Sequence, residues 1–155
     1  MASDSARPSV STAAKIVALA ADHAGVGLKT VLAGEIKALG FQQLDLGTHG
    51  PDSVDYPDFG DAMAEALAAG RAKLGVVICG TGIGISIAAN RHRTVRAALC
   101  HNGTAARLAR QHNDANVLAL GARLIGEEVA KECLRVFLST PFEGGRHARR
   151  VAKLG

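Results

Sequence analysis

Residues 76–90, VVICGTGIGISIAAN, decide how the rest of the chain is read. The run Val76, Val77, Ile78 has the β-branched composition of a strand buried on both faces, and Cys79 closes it. Gly80, Thr81, Gly82, Ile83 and Gly84 then make a tight turn. Residues 85–90 continue as a short helix whose apolar side is Ile85, Ile87, Ala88 and Ala89. A strand, a glycine-rich turn and a helix N-terminus together form an anion site: backbone N–H groups crowd around a negative group, and the helix dipole adds partial positive charge. A thiol at the mouth of such a site is expected to favour its thiolate.

The turn does not fit a dinucleotide fingerprint, because from Gly80 or Gly82 the third glycine falls on Ile85 or Ile87. A Walker A loop is excluded by the lack of a lysine. Three readings remain open from the turn alone: a cysteine nucleophile elbow, a thiolate base beside an oxyanion hole, and a tight strand-to-helix turn around an inert core cysteine.

Working outward, the pattern predicts strands over residues 15–20, 41–46, 74–79, 95–100 and 117–120. Helices are predicted over 28–39, 58–69, 83–90, 103–111 and 126–139, with a basic final helix or tail over 144–153. This alternation belongs to the α/β class, here a three-layer α/β/α sandwich on a five-stranded parallel, Rossmann-like sheet. Right-handed crossovers bring the strand C-terminal ends to one edge, where ligands bind at the topological switch point. Asp22-His23 and the turn after Cys79 both fall on that edge.

At 155 residues the chain is expected to be a single domain over 15–155, preceded by a disordered Ser- and Ala-rich tail over 1–14 without the apolar stretch of a secretory signal. No run of about 18 apolar residues is present, so no membrane span or membrane partner is expected and the placement read is cytoplasmic. Cys79, Cys100 and Cys133 are widely spaced and odd in number, which suits free thiols in a reducing compartment. There is no CxxC or HExxH. His101 and His112 would lie about 16 Å apart along a helix, too far for one ion, so no metal is expected. The net charge of +4 is concentrated near Arg146, Arg149, Arg150 and Lys153. With one Tyr and no Trp the chain lacks stacking platforms for single strands. A small phosphate ligand is therefore the sharper reading of the basic cluster, and no nucleic-acid partner is expected.

Several candidates stand beside the turn. Asp22 is either a helix cap or a holder of sugar hydroxyls, and His23 either an exposed ring or a phosphate ligand. Arg146 and Arg150, four apart, share one helix face and match a phosphate dianion. His112-Asn113-Asp114 is either a capping turn or the seat of a general acid or base at His112.

Five segments occur here in one order: ADHAG, DYP, CGTGIGISIAAN, RQHNDANVLALGAR and EGGRHARR. Together, over about residues 15–153, they closely resemble the type B ribose-5-phosphate isomerases of the ribose/galactose isomerase family. The resemblance implies a cofactor-free aldose–ketose isomerase that interconverts ribose 5-phosphate and ribulose 5-phosphate through a cis-enediolate. It implies Cys79 as the base, N–H donation to the enediolate from the turn of Gly80, Gly82 and Gly84, and ring opening assisted by Thr81 and His112. It implies that Asn113 binds the enediolate, Asp22 the sugar hydroxyls, and His23, Arg123, Arg146 and Arg150 the phosphate, with Tyr56 of the DYP segment also against the substrate. Some family members place a glutamate base at the position of Ile85 and lack the cysteine, so Ile85 with Cys79 points to the cysteine branch. The resemblance also implies a homodimer, or a tetramer built from it, with sites shared between subunits. Topology gives the same expectation, since Cys79 ends the third strand whereas His112 precedes the fifth, on the opposite edge.

His101-Asn102-Gly103 departs from the family pattern on the ligand edge, which bears on the sugar accepted. Galactose-6-phosphate, allose-6-phosphate and tetrulose-phosphate isomerases share the scaffold. A sugar-phosphate-binding protein without catalysis, and a cysteine acyl-transfer enzyme with His23 near Cys79, are the competing classes.

Overall fold

The structure, a computed structural model, describes residues 15–155. The tail expected over 1–14 lies outside the described residues. Five strands form one parallel sheet in the order β2-β1-β3-β5-β4: β1 (Ile16–Ala21), β2 (Gln42–Asp45), β3 (Leu74–Cys79), β4 (Ala97–Leu99) and β5 (Val117–Gly121). The helices are α1 (Val26–Ala38), α2 (Tyr56–Ala68), α3 (Ile83–Asn90), α4 (Gly103–Asn113), α5 (Glu127–Ser139) and α6 (Arg146–Ala152).

Period-two alternation divides each central strand between two cores. Val17, Leu19, Val76, Ile78, Leu118 and Leu120 face one way, onto Leu28, Leu32 and Ile36 of α1, Ala106 and Ala109 of α4, and Leu134 and Phe137 of α5. Ala18, Ala20, Val77, Cys79, Val117 and Ala119 face the other way, onto Met63 of α2 and Ile85 and Ala89 of α3. Burial on both faces is why these strands are nearly continuous hydrophobic runs.

The edge strand β4 is shorter than the six residues expected. The Arg96 N–H, before it, donates to Asn116 Oδ1 (2.7 Å), while its C=O accepts from the Asn116 and Val117 N–H groups (3.0 and 3.3 Å). Asn90 closes β4's outer side: its amide accepts from Ala97 N–H (2.7 Å) and donates to Ala97 C=O (2.9 Å), as a neighbouring strand would. Helix α2 begins at Tyr56 rather than 58, because Pro57 in the first turn needs no N–H partner and is pre-set for helix. Helix α4 runs two residues beyond its expected end. It stops at Asp114, which takes a left-handed conformation (φ 45°), so His112 and Asn113 lie in its last turn rather than after it.

From β1 the chain passes to β2 on one side, and from β3 to β4 on the other. The switch point therefore lies between β1 and β3. There the Asp22 N–H donates to Ile78 C=O (3.1 Å), which brings the loops after β1 and β3 together.

Candidate active site

Gly82 caps α3 with φ +75°. A side chain there would meet Leu120 and Gly121 backbone atoms at 2.8 and 3.0 Å, so only glycine lets the turn lie this close to β5. The result is a cysteine wrapped by its own turn. Cys79, 4 % exposed, receives the Gly82 N–H on Sγ at 3.1 Å. The Thr81 hydroxyl accepts from Ile83 N–H (3.2 Å), which leaves its own hydrogen free to donate. Two N–H groups of the turn are thus engaged. Those of Gly80, Thr81 and Gly84 have no backbone acceptor among the described residues and remain available to a ligand.

Neighbouring side chains close around the turn. Gly84 lies under the Tyr56 ring, where a β-carbon would come within 2.6 Å of it. Arg123 lies over Gly80, its guanidinium 3.4 Å from where a β-carbon would stand, and its backbone N–H donates to Gly80 C=O (2.9 Å). Asp22, 6 % exposed, caps the one-turn 3-10 helix His23–Gly25 by accepting from Ala24 N–H at 3.0 Å. The capping role therefore holds, and the second carboxylate oxygen is uncommitted to that bond. Val54 N–H donates to His23 Nδ1 (3.1 Å), so in the neutral ring the proton sits on Nε2. Asp22, His23, Tyr56, Cys79, Gly80, Thr81, Gly82, Gly84 and Arg123 thus gather at the switch point.

The other thiols offer no alternative centre. Burial, with Cys133 beside it, pushes the Cys100 thiol up to about 12. Burial followed by the charge of Glu132 raises Cys133. Both thiols stay protonated within the larger core.

His112, Asn113, Arg146 and Arg150 are not at the switch point. They lie at the N-terminal edge of the sheet, where α4 ends and α6 packs. Their scaffold is a web around Arg110. It donates to Asp114 Oδ1 (3.0 Å), to the carbonyls of Ala115 (2.6 Å) and Thr140 (3.1 Å), and stands 5.7 Å from the centre of the Phe137 ring. Glu143 N–H donates to Gln111 C=O (3.1 Å), pinning the α5–α6 connection onto α4. On that frame the His112 ring stacks on His147, with centroids 4.3 Å apart and planes 12° from parallel. Spacing along α4 separates His112 from His101; the structure instead sets it beside His147 and Glu143, 35 and 31 positions away, which no local spacing signals. Burial lowers the His147 pKa, with the charges of His112, Arg146 and Arg150 acting the same way and Glu143 opposing. Arg146 and Arg150 are both exposed on the single helix α6. Asn102 has a structural account: it caps α4 by accepting from Ala105 N–H (2.8 Å).

Residues 17–154 match the Ribose/Galactose Isomerase family. The chain belongs to this family. Among family structures, that of Clostridium thermocellum ribose-5-phosphate isomerase B is similar at 50% identity and a TM-score of 0.89, over 90% of this chain and 95% of that one. The Escherichia coli ribose-5-phosphate isomerase B is 43% identical over 88% of this chain and 92% of its own. The D-erythrulose-4-phosphate isomerase of Pectobacterium atrosepticum is 40% identical over 90% and 92%. Likeness at this level extends over nearly all of the described α/β domain of this ribose/galactose isomerase family member. Among the described residues no helix is long and apolar enough to cross a membrane.

Proposed function

We propose that the chain is an aldose–ketose isomerase that interconverts ribose 5-phosphate and ribulose 5-phosphate, with Cys79 as the base. The observation that carries the reading is the turn itself: a thiol held by the Gly82 N–H at 3.1 Å, beside three uncommitted N–H groups. A thiolate there would take the proton from C2 of the open-chain aldose and return it to C1. Meanwhile the negative charge on the enediolate oxygen would meet the N–H groups of Gly80, Thr81 and Gly84. The proton on His23 Nε2 and the Arg123 guanidinium suit a phosphate at the same edge.

Thr81 and His112 would open the furanose ring, and Asn113 would hold the enediolate. Arg146 and Arg150 would grip the phosphate. These last four residues stand at the far edge of the subunit, so in this reading a two-fold partner delivers them. Ile83 and Ile87, 49% and 55% exposed on α3 beside the turn, offer an apolar surface for it to cover. Acyl transfer is disfavoured: the hydrogen bond to Sγ comes from a backbone N–H, and His23 Nδ1 is engaged by Val54.

The second reading is a tetrulose phosphate as substrate, favoured by the 40% identity to an erythrulose-4-phosphate isomerase. A panel of ribose 5-phosphate, allose 6-phosphate, galactose 6-phosphate and erythrulose 4-phosphate separates them. The proposal expects the highest kcat/KM on ribose 5-phosphate. A tenfold preference for any other sugar would replace it, and no turnover of any would end the isomerase reading.

A further inference from the structure

His112, Glu143 and His147 form a cluster of donors that proton transfer and phosphate binding do not use as a set. The three elements that carry them are tied together. His112 is in the last turn of α4, Glu143 N–H bonds to Gln111 C=O one residue before it (3.1 Å), and His147 lies in α6, one turn beyond Glu143. His147 Nε2 stands 3.7 Å from Glu143 Oε2, and one ligand atom from each of the three residues lies within 4.8 Å of the others.

We propose that His112, Glu143 and His147 bind a first-row transition-metal ion, Zn2+ foremost, and that the bound ion inhibits the enzyme by occupying His112. Two imidazoles and a carboxylate are a zinc donor set, with the fourth position left to water. Bonds of about 2.0–2.2 Å place tetrahedral donors roughly 3.3–3.6 Å apart, so the cluster must contract by about 1 Å. The means are present. Glu143 is exposed and free to swing, and half-buried His112 can turn out of its stack on buried His147. The turn is required, because the lone pairs of parallel rings run side by side rather than converging. Arg146 and Arg150, exposed on the same helix as His147, oppose a cation. The Glu143 carboxylate offsets part of their charge.

The binding half stands apart from the isomerase reading; the inhibitory half rests on the role proposed for His112. The test titrates metal-free full-length protein with Zn2+ against a chromophoric chelator, and with Co2+ for its spectrum. One Zn2+ per chain is expected, with cobalt ligand-field bands and no thiolate charge-transfer band. Cys79→Ala should bind as wild type does. Glu143→Gln and His147→Ala should each weaken binding at least about tenfold, the smallest loss that even a supporting partner's removal gives. Should the buried His147→Ala fail to fold, exposed Glu143→Gln carries the test alone. Binding by Glu143→Gln equal to wild type, or binding lost in Cys79→Ala with a thiolate band in wild type, would overturn the site. In the assay, zinc should inhibit wild type and spare Glu143→Gln at the same concentration. Zinc that binds without inhibiting would overturn the blockade. A metal-free enzyme with no turnover would refute the isomerase reading and the blockade together, leaving the binding result intact.

Discussion

Cys79 is the residue on which the proposed chemistry turns, and its surroundings say what removing it should do. The sulfur is enclosed by its own turn, with the Gly82 N–H at 3.1 Å, while the Asp22 and His23 loop beside it is held by separate bonds to Ala24, Val54 and Ile78. Cys79→Ala therefore removes the proposed base and leaves those supports in place. Turnover should fall by ~10²–10⁴, the usual contribution of a general base, with binding of a sugar phosphate changed only slightly by calorimetry. Turnover near wild type would show that another group moves the proton. At this scale the sequence was legible where chemistry is local: the strand–turn–helix pattern located the thiol and the glycines around it. It could not find the Tyr56 ring on Gly84 or the His112–His147 stack, because each joins residues 28 or more positions apart whose meeting depends on the finished packing.

At the level of elements, β2 and α1 are clasped by an ion pair that responds to pH. Lys29 of α1, buried, donates to Asp45 Oδ1 (2.6 Å) at the end of β2, and the same oxygen accepts from Gly47 N–H (2.9 Å). Burial alone would raise the Asp45 pKa; the Lys29 hydrogen bond, the Gly47 N–H and the Lys29 charge outweigh it, so the folded-state value lies below the ordinary one. A depressed carboxyl stabilises the fold above its unfolded pKa, near ~3.9, and loses that contribution as pH falls through the folded value. Asp45→Asn should thus cost about 1–3 kcal/mol at pH 7, chiefly by leaving Lys29 buried without its charge partner. Urea unfolding of the two proteins should converge as pH falls below the folded-state pKa of Asp45. A gap that does not narrow in acid would mean the charge contributes nothing. This clasp was invisible in the sequence, whereas the sheet itself was plain in the buried β-branched runs. Element ends were the weak point, since a half-buried edge strand such as β4 and a helix stop at Asp114 depend on side-chain bonds from distant residues.

For the whole molecule, the decisive feature is the separation of the two groups of site residues. Cys79 ends β3 at the switch-point edge, while His112 precedes β5 at the other. β5 has five residues, so the two edges are roughly 17 Å apart at about 3.3 Å per residue. A sugar held at Cys79 is beyond the reach of a side chain in the same subunit's α4. If both residues serve one reaction, they must come from different copies of the chain, and a two-fold arrangement satisfies both sites at once. Complementation tests this directly. Cys79→Ala and His112→Ala proteins should each be nearly inactive alone. When subunits exchange at random, half the dimers are mixed, and each mixed dimer carries one site with both residues intact and one with neither. Recovery should approach about one quarter of wild-type activity under this two-fold scheme. Absence of recovery, with exchange proven by differently labelled subunits, would show that the two residues act within one chain, and the shared-site dimer would have to be abandoned.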